Sequence, residues 1–259
     1  MKKSVQSIEF EREGLSCSVK ENIAVMNLTC GAFESLANAE KDMEILDWFD
    51  LVEASESVKG VLIINKKDCL GEQAYNDFLS ELAGKKLDIN NPEAIRKFEK
   101  SQARAIEINM LMNFIRRIVT FNKIFIIGLR GNIVTPFLGM SLAMDFRIID
   151  QDTTFSFSHV KYSLHPSGAL PFFLPKYIGQ GRAVEYMLEG GRINADEALN
   201  LGIANKIIAV DSFEEICIKE AVRLCSLNPQ YVKITKSLVY NYINELNKFF
   251  DLESNYIFG

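Results

Sequence analysis

The chain has 259 residues, of which 48% are hydrophobic and 24% charged, with mean hydropathy near zero, so there is apolar material for a sizeable core. A net charge of −5 and a pI near 5.3 argue against a nucleic-acid partner, which asks for a basic face. Five cysteines (Cys17, Cys30, Cys69, Cys217 and Cys225) in no paired spacing disfavour a disulfide framework or a zinc site and suggest reduced thiols in the cytoplasm.

The N-terminal stretch MKKSVQSIEFEREG has no apolar core of the signal-peptide kind, and no apolar run approaches membrane-spanning length. Residues 15–19 and 23–28 predict two strands joined by a polar turn at Lys20, Glu21 and Asn22. A helix follows over residues 39–54, with Met43, Leu46, Phe49 and Val52 on one face. Residues 58–64 (VKGVLII) and 123–129 (KIFIIGL) are nearly continuous in apolar residues, as strands covered on both faces are; 146–149 and 206–210 are shorter versions. Residues 84–91 are the most loop-like stretch and the candidate for a cover over a site. Pro92 opens a long helical segment to Thr120, with Ile95, Phe98, Ala105, Ile108, Met112 and Ile115 at helical spacing. Residues 213–258 predict two or three helices broken at Asn228 and Pro229. The alternation of strand and helix implies a mainly parallel α/β architecture.

Three spaced segments carry a family resemblance. The run KIFIIGLRGNIVTPFLGMSLAMDFRII resembles the crotonase (enoyl-CoA hydratase/isomerase) segment KPxIAAVxGxAxGGGxELAxxCDxRxA, with Gly131 and Asp145 in step. Phe155, Pro166 and Gly168 continue the alignment, and GRAVEYMLEGGRINADEALNLGIANKIIAV is similar to AxExxLTGxxIxAxEAxxxGLVNxVV. Upstream, VKGVLIINKKDCLGEQ resembles VxxVVLTGxGxxFSAGAD. The resemblance implies a ββα spiral over residues 1–210 and a C-terminal helical trimerisation region over 211–259, here shortened at its end. It also implies a homotrimer or hexamer, and an acyl-CoA or acyl-carrier-protein thioester as substrate. Coenzyme A would enter as part of that substrate, with no separate cofactor and no metal.

Crotonases stabilise an enolate with two backbone N–H donors. By resemblance the first donor is the Leu70 N–H, in the turn Asp68, Cys69, Leu70, Gly71, where Gly71 keeps the turn tight and Cys69 fills a small-residue position. The second falls on Pro136, which has no N–H. Either Thr135 caps a helix that starts with Pro136, or the Thr135 hydroxyl or Phe137 N–H substitutes as the donor. The two glutamates that activate water in hydratases fall on Gly139 and His159, so paired-carboxylate hydration is unavailable. His159 reads equally as a proton-transfer group or as a structural histidine. His165 reads as a loop residue, and Tyr75, Asp68 and Glu72 as solvent-facing, with a site role for Tyr75 the alternative. No basic residue stands at the usual coenzyme A positions, which leaves Lys66 and Lys67 as the candidates to reach phosphates.

Two functions remain open. One is an acyl-thioester enzyme with non-standard chemistry (isomerase, decarboxylase or other lyase) in fatty acid metabolism, using Leu70 and His159. The other is an inactive homologue serving as a binding or partner subunit. Filling of the space between Leu70, Thr135 and His159 by Phe137 or Tyr75 would favour the second.

Overall fold

The computed structural model describes residues 7–36, 39–88 and 90–258. The main sheet begins as a meander. Strands β1 (Phe10–Arg12), β2 (Leu15–Lys20) and β3 (Ile23–Leu28) pair antiparallel, and the β2–β3 turn puts Glu21 and Asn22 at φ 49° and 68°. That is the primed-turn geometry whose twist suits a hairpin. Strands β4 (Gly60–Asn65) and β5 (Ile124–Leu129) then add in parallel, every residue of both buried. Helices on both faces explain why these two strands are apolar throughout.

Helix α1 (Ala32–Leu36) and helix α2 (Ala39–Ala54) intervene between β3 and β4. The α2 boundaries match the predicted helix, but its buried face is Ile45, Trp48, Phe49 and Val52, while Leu46 is half-buried. Met43 lies outside the residues whose side chains are described. After β4 come α3 (Glu72–Leu82), α4 (Pro92–Glu99) and α5 (Gln102–Thr120). The single segment expected from Pro92 to Thr120 is therefore two helices. Ser101 breaks it by adopting an extended conformation and accepting the Arg104 N–H as the α5 cap. Its predicted apolar positions are all buried.

Strands β6 (Asn132–Val134), β8 (Thr154–Ser156) and β9 (Arg192–Asn194) form a second, three-stranded sheet. Strands β7 (Phe146–Asp150) and β10 (Lys206–Ile208) complete the seven-stranded one, in order β1-β2-β3-β4-β5-β7-β10. Helices α6 (Thr135–Leu142), α7 (Ser158–Lys161), α8 (Leu170–Ile178), α9 (Gln180–Glu189) and α10 (Ala195–Asn200) lie between these strands. Strands β7 and β10 fall on the predicted runs 146–149 and 206–210, whereas the three-residue β6, β8 and β9 are too short for an alternation pattern to reveal.

At the C-terminal end, α11 (Phe213–Cys225) covers β3–β5, and α12 (Pro229–Val239) and α13 (Ile243–Phe258) follow. The break expected at Asn228 and Pro229 separates α11 from α12, the Asn228 side chain capping α12 with Pro229 in its first turn. Asp145 locks α12 to the sheet. Its Oδ2 accepts the Phe125 N–H at 2.7 Å and the Lys236 ammonium at 2.6 Å, and its Oδ1 accepts the Tyr240 hydroxyl at 2.6 Å. Lys123 spends its three donors on the carbonyls of Val52, Ser55 and Val58. Among the described residues no helix is long and apolar enough to cross a membrane.

Candidate functional site

Strand β4 delivers the chain to the turn 66–70. There the Cys69 N–H donates to Lys66 O and the Gly71 N–H to Asp68 O. Asp68 takes a positive φ of 62° and accepts the Asn132 N–H, which ties this turn to β6. Leu70 is fully buried and its carbonyl accepts the Val134 N–H at 3.0 Å; among the described residues its own N–H has no partner. A side chain at Gly71 would press on Asp68 O and Asn132, so the position needs a small residue. The Cys69 thiol is buried and pushed up to about 12, chiefly by that burial, which leaves it a packing group.

The second half of the expected oxyanion site departs from expectation. Helix α6 is preceded by Val134 in extended conformation, so Val134 and not Thr135 occupies the capping position, and it offers no side-chain acceptor. Thr135 is already helical and fully buried, with its hydroxyl 2.8 Å from His159 Nδ1. The other ring nitrogen, Nε2, is 2.9 Å from the Met187 carbonyl. A carbonyl only accepts, so Nε2 carries the proton, Nδ1 accepts, and the Thr135 O–H donates to it. Burial pushes His159 down to about 4, the Met187 hydrogen bond opposing weakly. The ring is therefore neutral with both nitrogens engaged. As a proton shuttle it is poorly placed, and as a structural strut between α6 and α9 it is complete. The same bond removes the Thr135 hydroxyl as a substitute oxyanion donor.

Gly139 is closed for a different reason. A Cβ there would lie 2.3 Å from Gly168 O and 2.9 Å from Leu170 N. Gly168, at φ 73°, is the reciprocal case, its own Cβ falling 2.2 Å from Pro136 O. Helix α6 and the turn before α8 thus meet backbone to backbone. The volume a glutamate would occupy is filled by main chain. Pro136 sits in the first turn of α6, as its missing N–H allows.

Tyr75, expected to face solvent, is fully buried instead. Its ring packs against Phe33 (centroids 5.4 Å) and Tyr162 (6.0 Å), and Phe33 in turn meets Phe78 (5.4 Å) and Phe137 (4.9 Å). Burial raises the Tyr75 hydroxyl to about 12. This aromatic group packs the interior between α1, α3 and α6. What remains is a cavity of about 10 Å³ lined by Phe33, Phe78, Glu107, Pro136 and Phe137 among others. A single water needs ~10–15 Å³.

The charged residues of this region lie on α5, where periodicity alone did not single them out. Arg104 and Glu107 are 0% and 3% exposed and ion-paired to each other. Glu107 lines the residual cavity, while Arg104 Nε and Nη2 have no partner among the described residues. The visible signal was a pair of opposite charges three residues apart, beside the apolar positions Ala105 and Ile108. His165 is more than a loop residue. It bridges Glu99 (2.7 Å) and Glu253 (3.5 Å), joining α4 to α13. Burial alone would lower its pKa, but the Glu253 and Glu99 carboxylates beside it carry it above the ordinary histidine value.

Lys67 pairs with Asp152 at 3.0 Å, Glu72 pairs with Arg192 at 3.0 Å, and Lys66 is exposed at the same edge. Among the described residues no group of three or more His, Cys, Asp or Glu side chains could hold a metal ion.

Comparison with known proteins points one way. Residues 93–257 match the family model described as Enoyl-CoA hydratase/isomerase. A 4-chlorobenzoyl coenzyme A dehalogenase-2 from Arthrobacter sp is 23% identical over 232 residues, which are 89% of this chain and 78% of that protein. The fatty acid oxidation complex subunit alpha of Pseudomonas syringae pv. tomato is 26% identical over 174 residues, 66% of this chain but only 22% of that longer protein. Among solved structures, enoyl-CoA hydratase from Bacillus halodurans superposes with a TM-score of 0.73 at 18% identity, covering 94% of this chain and 93% of that one. An enoyl-CoA hydratase/isomerase from Pseudoalteromonas atlantica gives 0.70 at 21% identity, over 95% and 90% of the two chains.

Proposed function

The chain belongs to the enoyl-CoA hydratase/isomerase family, and on that premise we propose that it is a member whose hydratase centre is closed, serving as a binding or partner subunit. The observation that carries this reading is the contact between Gly139 and the main chain of Gly168 and Leu170. A lost side chain could be made good by a neighbour, but backbone occupying its volume leaves neither a carboxylate nor a water beside it. Support comes from His159, neutral with both nitrogens engaged, and from the aromatic group built on Phe33, Tyr75 and Phe137. The exposed apolar residues Tyr231, Ile234 and Leu238 along α12 support association of copies, in a trimer or hexamer, through the C-terminal helices.

One observation favours a second reading, an enzyme acting on an acyl-CoA or acyl-carrier thioester. The Leu70 N–H is free among the described residues to hold an enolate oxygen, and Glu107 lines the residual cavity with Pro136 and Phe137. Isomerisation or decarboxylation, with Glu107 moving the proton, fits that arrangement. The phosphates would then fall to exposed lysines such as Lys66.

Both readings meet in one experiment: incubate the purified chain with a panel of acyl-CoA and acyl-carrier thioesters in heavy water, following product and deuterium at the α-carbon. Neither turnover nor exchange is expected. Exchange above the buffer rate that disappears in Glu107→Gln would replace the first reading with the second. If exchange persisted in that variant but vanished in His159→Ala, the proton transfer would pass to His159.

A further inference from the structure

The segment between α3 and α5 encloses a feature that the closed centre does not explain. Leu82, Ala83, Leu87, Ala94 and Phe98 floor a half-open cavity of about 610 Å³. Around its wall stand Lys85 and Lys86 from the loop after α3, and Lys97 and Lys100 from α4 and its end. These four ammonium groups make no ion pair among the described residues, although the chain as a whole carries a net charge of −5. Asp88 is the one carboxylate in the lining, and its Oδ1 is occupied by the Asn90 N–H. Like charges gathered at one opening repel each other, and no ion pair among the described residues neutralises them.

The neutral polar groups in the lining point the same way. Asn91 Oδ1 already accepts from the N–H groups of Glu93 and Ala94. Ser101 Oγ accepts from Arg104 N. Capping thus engages their acceptor sides, leaving the Asn91 amide protons and the Ser101 hydroxyl proton to donate outward. Apart from Asp88 and one lone pair of Ser101, the side-chain bonding capacity left in the lining is donor capacity. A cationic ligand would find few acceptors and a neutral apolar one would leave the charges uncompensated.

We propose that this cavity is a binding site for a phosphate-bearing small molecule, its phosphates among Lys85, Lys86, Lys97 and Lys100 and its less polar portion on the Leu87–Phe98 floor. The site stands independently of whether the hydratase centre is closed. Lysine is a common phosphate ligand, acting as a point charge that needs no fixed fork geometry.

The test is calorimetric titration of the full chain at low salt, first with inorganic pyrophosphate and then with adenosine 3′,5′-bisphosphate. Saturable binding at one site per chain is expected, tighter for the nucleotide because its base can use the apolar floor. The double variants Lys85→Ala/Lys86→Ala and Lys97→Ala/Lys100→Ala should each weaken binding by about ten-fold or more, the effect of losing roughly one charge-assisted contact. The control pair Lys219→Ala/Lys248→Ala, exposed and outside the lining, should leave it unchanged. All these side chains are exposed, so the variants keep the fold, which circular dichroism verifies. Absence of binding to both probes would overturn the proposal. So would binding that both cavity variants retain, or that the control pair weakens equally. Equal affinity for pyrophosphate and nucleotide would overturn the role given to the floor. Binding to an acidic protein with none to either probe would make the surface a protein-docking site instead.

Discussion

Two buried charged clusters, one around Asp145 and one around Arg104, are built differently. Around Asp145 each polar group has its match: the carboxylate takes three donors, and Lys236 divides its ammonium between Asp145 and the Lys123 carbonyl. Around Arg104 the ion pair with Glu107 is made, but two guanidinium nitrogens are left without partners and the cavity alongside barely holds a water. The first cluster fastens α12 to the sheet. The second sits beside the small cavity that Phe33, Phe78 and Phe137 line. A satisfied network maintains a scaffold, whereas an unsatisfied buried group calls for a reason other than stability.

The largest test of this contrast is Glu107→Ala. Removing one partner of a fully buried pair leaves an uncompensated guanidinium, so denaturant melts should show a loss of ~3–5 kcal/mol. The double variant Arg104→Met/Glu107→Leu should recover most of it. If the single variant were near neutral, water must already reach Arg104.

Next comes pH. His159 sits at about 4 in the fold against ~6.5 unfolded, so between those values the unfolded chain binds the extra proton. Stability should therefore fall as pH drops from ~6.5 to ~4, by about 3 kcal/mol from this group. His165 runs the other way. Its folded pKa is raised, so its contribution is complete below ~6.5 and is lost as pH rises through the folded value. Melts across pH in His159→Asn and His165→Asn should each remove one limb; a loss of both limbs in one variant would break the assignment.

Gly139→Ala should cost ~1–3 kcal/mol, because the added Cβ meets a carbonyl oxygen that cannot swing aside. Gain of hydratase activity on adding a carboxylate there is not expected, and its appearance in Gly139→Glu would show that the α6–α8 contact opens. The smallest effect belongs to the well-matched cluster. Tyr240→Phe removes a single hydrogen bond to Asp145 and should lower stability by ~1–2 kcal/mol, read from the shift of the denaturation midpoint.

The sequence alone determined a good deal. Continuous apolar runs produced β4 and β5, Asn228 and Pro229 marked the start of α12, and three spaced motifs identified the family. It also showed that Gly139, Pro136 and His159 could not supply the usual groups, since side-chain identity is enough to exclude a carboxylate or an N–H. Such features are local: propensity, capping and the presence or absence of an atom can be read in one dimension.

Only the tertiary structure decided what replaced those groups. Whether His159 was a base or a strut depended on Met187 and Thr135, 28 and 24 residues away. Tyr75 looked solvent-facing until Phe33 and Tyr162 closed over it, and Gly139 looked merely empty until the Gly168 carbonyl stood 2.3 Å from where its Cβ would be. The four lysines around the α3–α5 cavity were likewise ordinary surface residues until two stretches of chain turned them toward one opening. Protonation, access and charge compensation depend on what surrounds a group in three dimensions, and that is set by contacts between residues far apart in the chain.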